Sequence, residues 1–440
     1  MSQTVQETTL PRFAGVPAAS LADEAVGVRV TGFAPGARVT VRSRLTDDYG
    51  NRWEAASEFR ADARGTVDLA RQAPESGSYA GVEPMGFLWS MTPVDTETAS
   101  PMMTNNVEPK TVELTAEVDG QPVASAELVR RYLAPGVKRL EVRDGGLFGT
   151  LFVPAGEGPF PAIVLLSGSG GGLSEPQAAL YAAHGYAALA LAYFRAGHLP
   201  EDLVRIPLEY FERAITWLQA RPEIDAARLA VGGASRGGEL SLLLASRFPQ
   251  FKAVVASVPS SIVYGGVGSA EDSHLKSAWT YGGEEIPFHY SRSSRREAFQ
   301  TEDGTPFALT PIFLRTLEDE EMVREATIPV ERINGPVLLI SGKDDAMWPS
   351  TRYSEMVMAR LKEHNHPYPD QHLAYDGAGH IIGQPWVPTT VFASGHPVTK
   401  TLFAYGGNAK GSADARADAW PKTLAFLDAR LKDGGDDASG

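Results

Sequence analysis

The segment VGGASRGGELSL, residues 231–242, brackets one serine, Ser235, between Gly233 and Gly237. A strand-like run, Arg228-Leu-Ala-Val, leads into it, and a helix-like run, Leu240-Ser-Leu-Leu-Leu-Ala, leads out. A serine on a sharp strand-to-helix turn presents its hydroxyl at the edge of a sheet. Glycines on both sides remove side chains that would clash where strand and helix approach. Such a hydroxyl is a weak nucleophile alone. It needs a base, and the base needs an acid to orient it.

Both partners can be sought at later strand ends. After the apolar run Val337–Ile340 the chain reads SGKDDAMWPS, residues 341–350, which offers Asp344 and Asp345. Asp345 falls three residues after Gly342 and four before Pro349 and is preferred as the acid, with Asp344 as a turn residue. The segment QHLAYDGAGHIIG, residues 371–383, gives a strand-like run, a glycine-rich loop and then His380. The order Ser235, Asp345, His380 is that of an α/β-hydrolase triad. Among the other histidines, His364, His366 and His372 lie in a polar loop or at a strand entrance, and His184 suits a helix end. His198, His274, His289 and His396 lack a strand-end setting.

A tetrahedral acyl intermediate also needs two preorganised N–H donors. One is expected from the backbone of Arg236, directly after the serine. The second is expected from SGSGGGLSEP, residues 167–176, after the strand Ala162–Leu166, with Ser169 or Gly170 as the donor. A phosphate loop is the competing reading. No G-K-[ST] follows and G-x-G-x-x-G is absent, so the oxyanion reading is preferred.

These positions require a parallel sheet. Continuous apolar runs at 162–166, 187–191, 229–231, 253–256 and 337–340 suit strands covered on both faces. Between them, Leu208, Phe211, Ile215 and Leu218 form one helical stripe, and Leu424, Leu427 and Leu431 another. Strands alternating with helices predict a doubly wound α/β domain over residues 136–432. A hairpin is expected around Asp144-Gly145-Gly146, and a cap-like insertion at about 260–328. Residues 10–135 read differently. Their short alternating runs and Gly/Pro turns predict an immunoglobulin-like β-sandwich. A disordered tail is expected at 433–440.

Composition narrows the chemistry. Of 440 residues, 43% are hydrophobic and 21% charged, and the net charge of −14 disfavours a nucleic-acid surface. There is no cysteine, so there is no disulfide, thiolate metal site or Cys nucleophile. No metal-binding motif appears, and no metal or redox cofactor is expected. No apolar run reaches the roughly 18 residues of a membrane span. The first residues resemble neither a signal nor a transit peptide, so a cytoplasmic location is the expectation.

Longer motifs carry a resemblance. SGSGGGLSEPQAALYAAHGYAALALAYF, PLEYFERAITWLQARPEID, GASRGGELSLLLAS, SGKDDAMWPS and GAGHIIGQPWVP resemble the acyl-CoA thioesterase / bile acid-CoA:amino acid N-acyltransferase family. In the first domain, ADEAVGVRVTGFAPGARVTVRS and APESGSYAGVEPMGFLWSM are similar to that family's β-sandwich. The resemblance implies action on acyl-CoA thioesters, with the triad on Ser235, Asp345 and His380. Two departures matter. The family usually has Lys after the nucleophile. Arg236 keeps the charge, so attraction for an anion is expected to survive. The amino-acid-conjugating members use Cys, so Ser235 favours hydrolysis over transfer to an amine. The alternatives are a carboxylesterase or peptidase-like serine hydrolase, or an acyl-CoA:amine N-acyltransferase.

Overall fold

Burial alternates residue by residue along Arg38–Thr46 and Arg52–Arg60, the central strands of the first unit. Val39, Val41 and Ser43 face inward from one strand, and Trp53, Ala55, Ser57 and Phe59 from the other. That period of two makes a sheet with one covered face. In the computed structural model, which describes residues 10–95, 100, 104–290 and 304–432, these strands belong to a seven-stranded sheet. A three-stranded sheet of Arg12–Ala14, Arg29–Thr31 and Thr66–Asp68 completes the β-sandwich. This unit comprises Met1–Tyr132 and, from much later in the chain, Pro385–Val391. Thr389 N donates to Trp89 O at 3.0 Å, and Thr390 Oγ1 donates to Met91 O at 2.6 Å. The sequence boundaries left this short segment in the catalytic domain. A seven-residue stretch without periodicity carries no signal of where it docks.

The second unit, Leu133–Gln384 with Phe392–Gly440, is an α/β-hydrolase fold. Its eight-stranded sheet runs β1 (Lys138–Val142), β2 (Phe148–Val153), β3 (Phe160–Leu166), β4 (Ala187–Ala192), β5 (Ile224–Ala234), β6 (Phe251–Ser257), β7 (Val337–Gly342) and β8 (Gln371–Tyr375). The spatial order is β1-β2-β4-β3-β5-β6-β7-β8. The first two strands form the antiparallel hairpin expected at Asp144–Gly146, and β3 to β8 are parallel. Every residue of β4 and β7 is buried, which is why the runs 187–191 and 337–340 are apolar.

Helices α1 (Glu175–Ala183), α2 (Glu209–Gln219), α3 (Arg236–Arg247), α4 (Ser350–Glu363) and α5 (Ala409–Leu431) cover the sheet. The stripe of Phe211, Ile215 and Leu218 on α2 is buried, with Leu208 at the helix start. A parallel sheet aligns its strand ends, so loops after β3, β5, β7 and β8 share one edge.

The insertion between β6 and β7, expected at about 260–328 as a cap, carries short strands of its own. Trp279–Tyr281 pairs in parallel with Ile206–Pro207 and antiparallel with Glu284–Glu285. Strands of two or three residues leave no periodicity to read. Helices Thr310–Thr316 and Glu320–Ala326 follow. Residues 291–303 of the expected cap, and the expected tail at 433–440, lie outside the described residues. Among the described residues no helix is long and apolar enough to cross a membrane.

Candidate active site

Ser235 stands at the turn from β5 into α3 with φ 59° and ψ −122°. A non-glycine residue there is uncommon and costs about 1–3 kcal/mol of local strain. Two hydrogen bonds over-determine it. Ser235 N donates to Ser257 O of β6 at 2.9 Å, and Glu239 N donates to Ser235 O at 3.0 Å. The flanking glycines make the close approach possible. A Cβ on Gly237 would sit 2.5 Å from Leu166 O, and one on Gly233 would sit 2.5 Å from Gly237 O. The serine is therefore held at the sheet edge, partly exposed.

The acid and base come from the next loops. Asp345, three residues beyond β7, is buried, and its Oδ2 lies 2.8 Å from His380 Nδ1. Its other oxygen accepts from Met347 N at 2.9 Å and Trp348 N at 3.3 Å. Both carboxylate oxygens are thus occupied, which fixes the direction of the ring. His380 is also buried, its backbone N–H bonded to Tyr405 O at 2.8 Å and its ring set edge-on to Trp348. Asp344 is exposed and does not meet the histidine. Its N–H donates to Ala378 O, which is a turn role. With Nδ1–H donated to Asp345, the Nε2 lone pair of a neutral His380 is left to accept a proton. Among the described residues no hydrogen bond joins Ser235 Oγ to His380; such bonds are often long without substrate.

A second buried His–Asp contact shows what this geometry excludes. His366 Nδ1 lies 2.7 Å from Asp370 Oδ2, but its Nε2 lies 2.9 Å from Ile333 O. Its second nitrogen is spent on a carbonyl, so this pair is structural.

The loop after β3 passes beside the serine. A Cβ on Gly168 would be 3.4 Å from Ser235 Cβ and 3.9 Å from its Oγ. Gly171 N donates to Gly168 O and Gly172 N to Phe194 O. The N–H groups of Ser169, Gly170 and Arg236 donate to no backbone carbonyl among the described residues.

The side chain of Arg236 corrects an expectation. It does not face an incoming anion. It is 4% exposed, pairs with Glu239 at 2.8 Å, and donates to Tyr264 O and Gly265 O at 3.0 and 3.1 Å. Glu239 in turn accepts from Trp279 Nε1 at 2.8 Å. Burial pushes the Glu239 carboxyl up to about 7, against the pull of Arg236. The guanidinium of Arg236 is thus spent on Glu239 and two backbone carbonyls inside the protein.

One residue that sequence reasoning set aside is close to the site. His396 Nε2 lies 2.9 Å from Ser169 Oγ. It sits in the turn between β9 (Ala393–Gly395) and β10 (Leu402–Ala404), strands too short to announce a strand end.

Comparison with known proteins gives the family. Residues 206–433 match the family described as BAAT / acyl-CoA thioester hydrolase C terminal. Residues 23–144 match the acyl-CoA thioester hydrolase/BAAT N-terminal region. The chain belongs to the BAAT/acyl-CoA thioester hydrolase family. Acyl-coenzyme A thioesterase 1 of Mus musculus is 35% identical over 416 residues, covering 93% of this chain and 94% of that protein. The mitochondrial acyl-coenzyme A thioesterase 2 of Mus musculus is also 35% identical, covering 93% of this chain and 87% of that protein. The mouse peroxisomal succinyl-coenzyme A thioesterase is 33% identical, with 93% of this chain and 94% of that protein covered.

Proposed function

We propose that the protein hydrolyses acyl-CoA thioesters to a free acid and CoA, with Ser235, His380 and Asp345 as its triad. The observation that carries this reading is the Asp345–His380 contact of 2.8 Å on the same sheet edge as a serine at φ 59°. Family membership supplies the substrate class, since the relatives compared are acyl-CoA thioesterases.

In this reading Ser235 Oγ attacks the thioester carbonyl carbon while His380 Nε2 takes the hydroxyl proton. Asp345 holds Nδ1–H and offsets the charge of the imidazolium. The carbonyl oxygen becomes an oxyanion and is met by the N–H of Arg236 and by Ser169 or Gly170 across the cleft. Collapse breaks the C–S bond, and His380 returns its proton to the CoA thiolate. Water then gives its proton to His380 and attacks the oxyester; the ester C–O bond breaks, His380 passes the proton to Ser235 Oγ, and the acid leaves.

The test compares rates on a series of acyl-CoA thioesters with matched oxyesters, alongside labelling by a fluorophosphonate probe. Faster turnover of the thioesters, with label on Ser235 alone, is the expected result. Preference for oxyesters would favour a carboxylesterase, and absence of label would remove the serine mechanism.

A further inference from the structure

The hairpin of β9 and β10 touches both halves of the candidate site. At its root, Tyr405 O accepts His380 N at 2.8 Å and Ala346 N at 3.2 Å, and Gly406 bridges to Asp345. At its tip, His396 reaches Ser169 Oγ at 2.9 Å, and Pro397 lies 3.3 Å from where a Cβ on Gly170 would be. From the other side, Arg195 donates to Gly170 O at 3.2 Å. The residues flanked in this way, Ser169 and Gly170, directly follow Gly168, which lies against Ser235.

The tip has one consistent proton arrangement. His396 Nδ1 accepts from Val398 N and Thr399 N, both at 3.2 Å. An imidazole nitrogen that accepts two N–H groups carries no proton, so the neutral ring holds its proton on Nε2. That N–H donates to Ser169 Oγ. Burial pushes His396 down to about 4, and the charged groups facing the ring, the cations Arg195 and Lys400, push the same way. The ring is therefore neutral at pH 7 and remains a one-way donor.

We infer that His396 is a positioning residue for the reaction: its Nε2–H pins Ser169, and the hairpin thereby holds the loop beside Ser235 in fixed register with Asp345 and His380. The inference rests on the proposed triad and adds a fourth position to it. Since the loop would meet the carbonyl oxygen only as charge develops there, loss of the pin lowers kcat more than it alters substrate binding.

The experiment measures kcat, KM and Tm on palmitoyl-CoA and on p-nitrophenyl acetate. It uses His396→Ala, His396→Gln, Ser169→Ala and the Ala/Ala double variant, with Ser235→Ala as control. His396→Ala and Ser169→Ala should each lower kcat about 10- to 100-fold, with KM changed less than about twofold. The double variant should be no worse than the weaker single variant, because both remove one interaction. A Gln amide can still donate to Ser169, so His396→Gln should recover most of kcat. The inference is overturned if Ser169→Ala retains wild-type kcat. It is also overturned if the two losses multiply, or if His396→Gln is no better than His396→Ala, since each outcome reduces the histidine to packing. An active Ser235→Ala enzyme would instead overturn the triad itself, so the two failures are distinguishable.

Discussion

Asp345 and His380 are joined through one carboxylate oxygen while the other oxygen is tied to two backbone N–H groups, so the carboxylate cannot turn away from the ring without breaking the loop's own hydrogen bonds. That fixed direction is what the neighbouring Asp344 cannot supply. Asp345→Asn should therefore cost on the order of 10⁴ in kcat, because an amide in place of the carboxylate stabilises the wrong tautomer. Asp344→Asn, altering an exposed turn residue, should change kcat less than about twofold. Steady-state kinetics of the two variants give the ranking. A reversed order would reassign the acid.

Removing Glu239 should destabilise the fold. Glu239→Leu leaves the guanidinium of Arg236 buried without its counter-charge, a change worth about 3–5 kcal/mol. Urea unfolding monitored by circular dichroism should show it as a lower midpoint. An unchanged midpoint would mean that Arg236 relaxes toward solvent.

The same carboxyl gives a pH signature. Its pKa is raised from the ordinary 4.5 to about 7 in the fold. Between those values the native state binds the proton that the unfolded chain releases, so stability falls as pH rises through this window. Glu239→Gln cannot titrate. The difference in unfolding free energy between wild type and Glu239→Gln should therefore shift against the wild type from pH 4.5 to 7. A constant difference would show that Arg236 holds the carboxylate charged throughout.

Arg236 should contribute nothing to capture of anionic substrate. Arg236→Lys keeps a charge that can reach Glu239 but not both carbonyls, at a stability cost of about 1–3 kcal/mol. The salt dependence of KM for an acyl-CoA should be unchanged. A flatter salt dependence in the variant would return this side chain to the substrate.

How much of this was legible in the sequence follows from what each residue needs. Ser235 and Asp345 can be read because each follows a continuous apolar run, the pattern of a buried parallel strand; His380 follows the half-exposed strand β8 and is read from the glycine-rich loop and the order of the three residues. The β-sandwich is legible from the alternation that buries Val39 and Val41 and then Trp53 and Phe59. His396 is not legible. Its hairpin strands are three residues long, and its partner Ser169 is 227 residues away. Nor is the burial of Arg236, since an Arg and a Glu three apart on a helix look the same on a solvated face. Trp279, delivered by a three-residue strand of the insertion, is among the groups that bury Glu239.

The fate of the acyl group tests the choice between hydrolysis and transfer. An oxyester on Ser235 faces water at ~55 M, and a millimolar amine competes only if the site binds it. Adding millimolar glycine or taurine to a long-chain acyl-CoA reaction should leave free acid as the main product by mass spectrometry. Amide as the main product would make the enzyme an N-acyltransferase.

The central claim is that Ser235 is the nucleophile, and CoA release by purified Ser235→Ala tests it most directly. A fall in kcat on the order of 10⁶ is predicted, as for removal of a triad serine in a serine protease, with Tm little changed, since alanine keeps the Cβ that strains the backbone at φ 59°. A Ser235→Ala protein that folds and retains even a tenth of wild-type CoA release would contradict it.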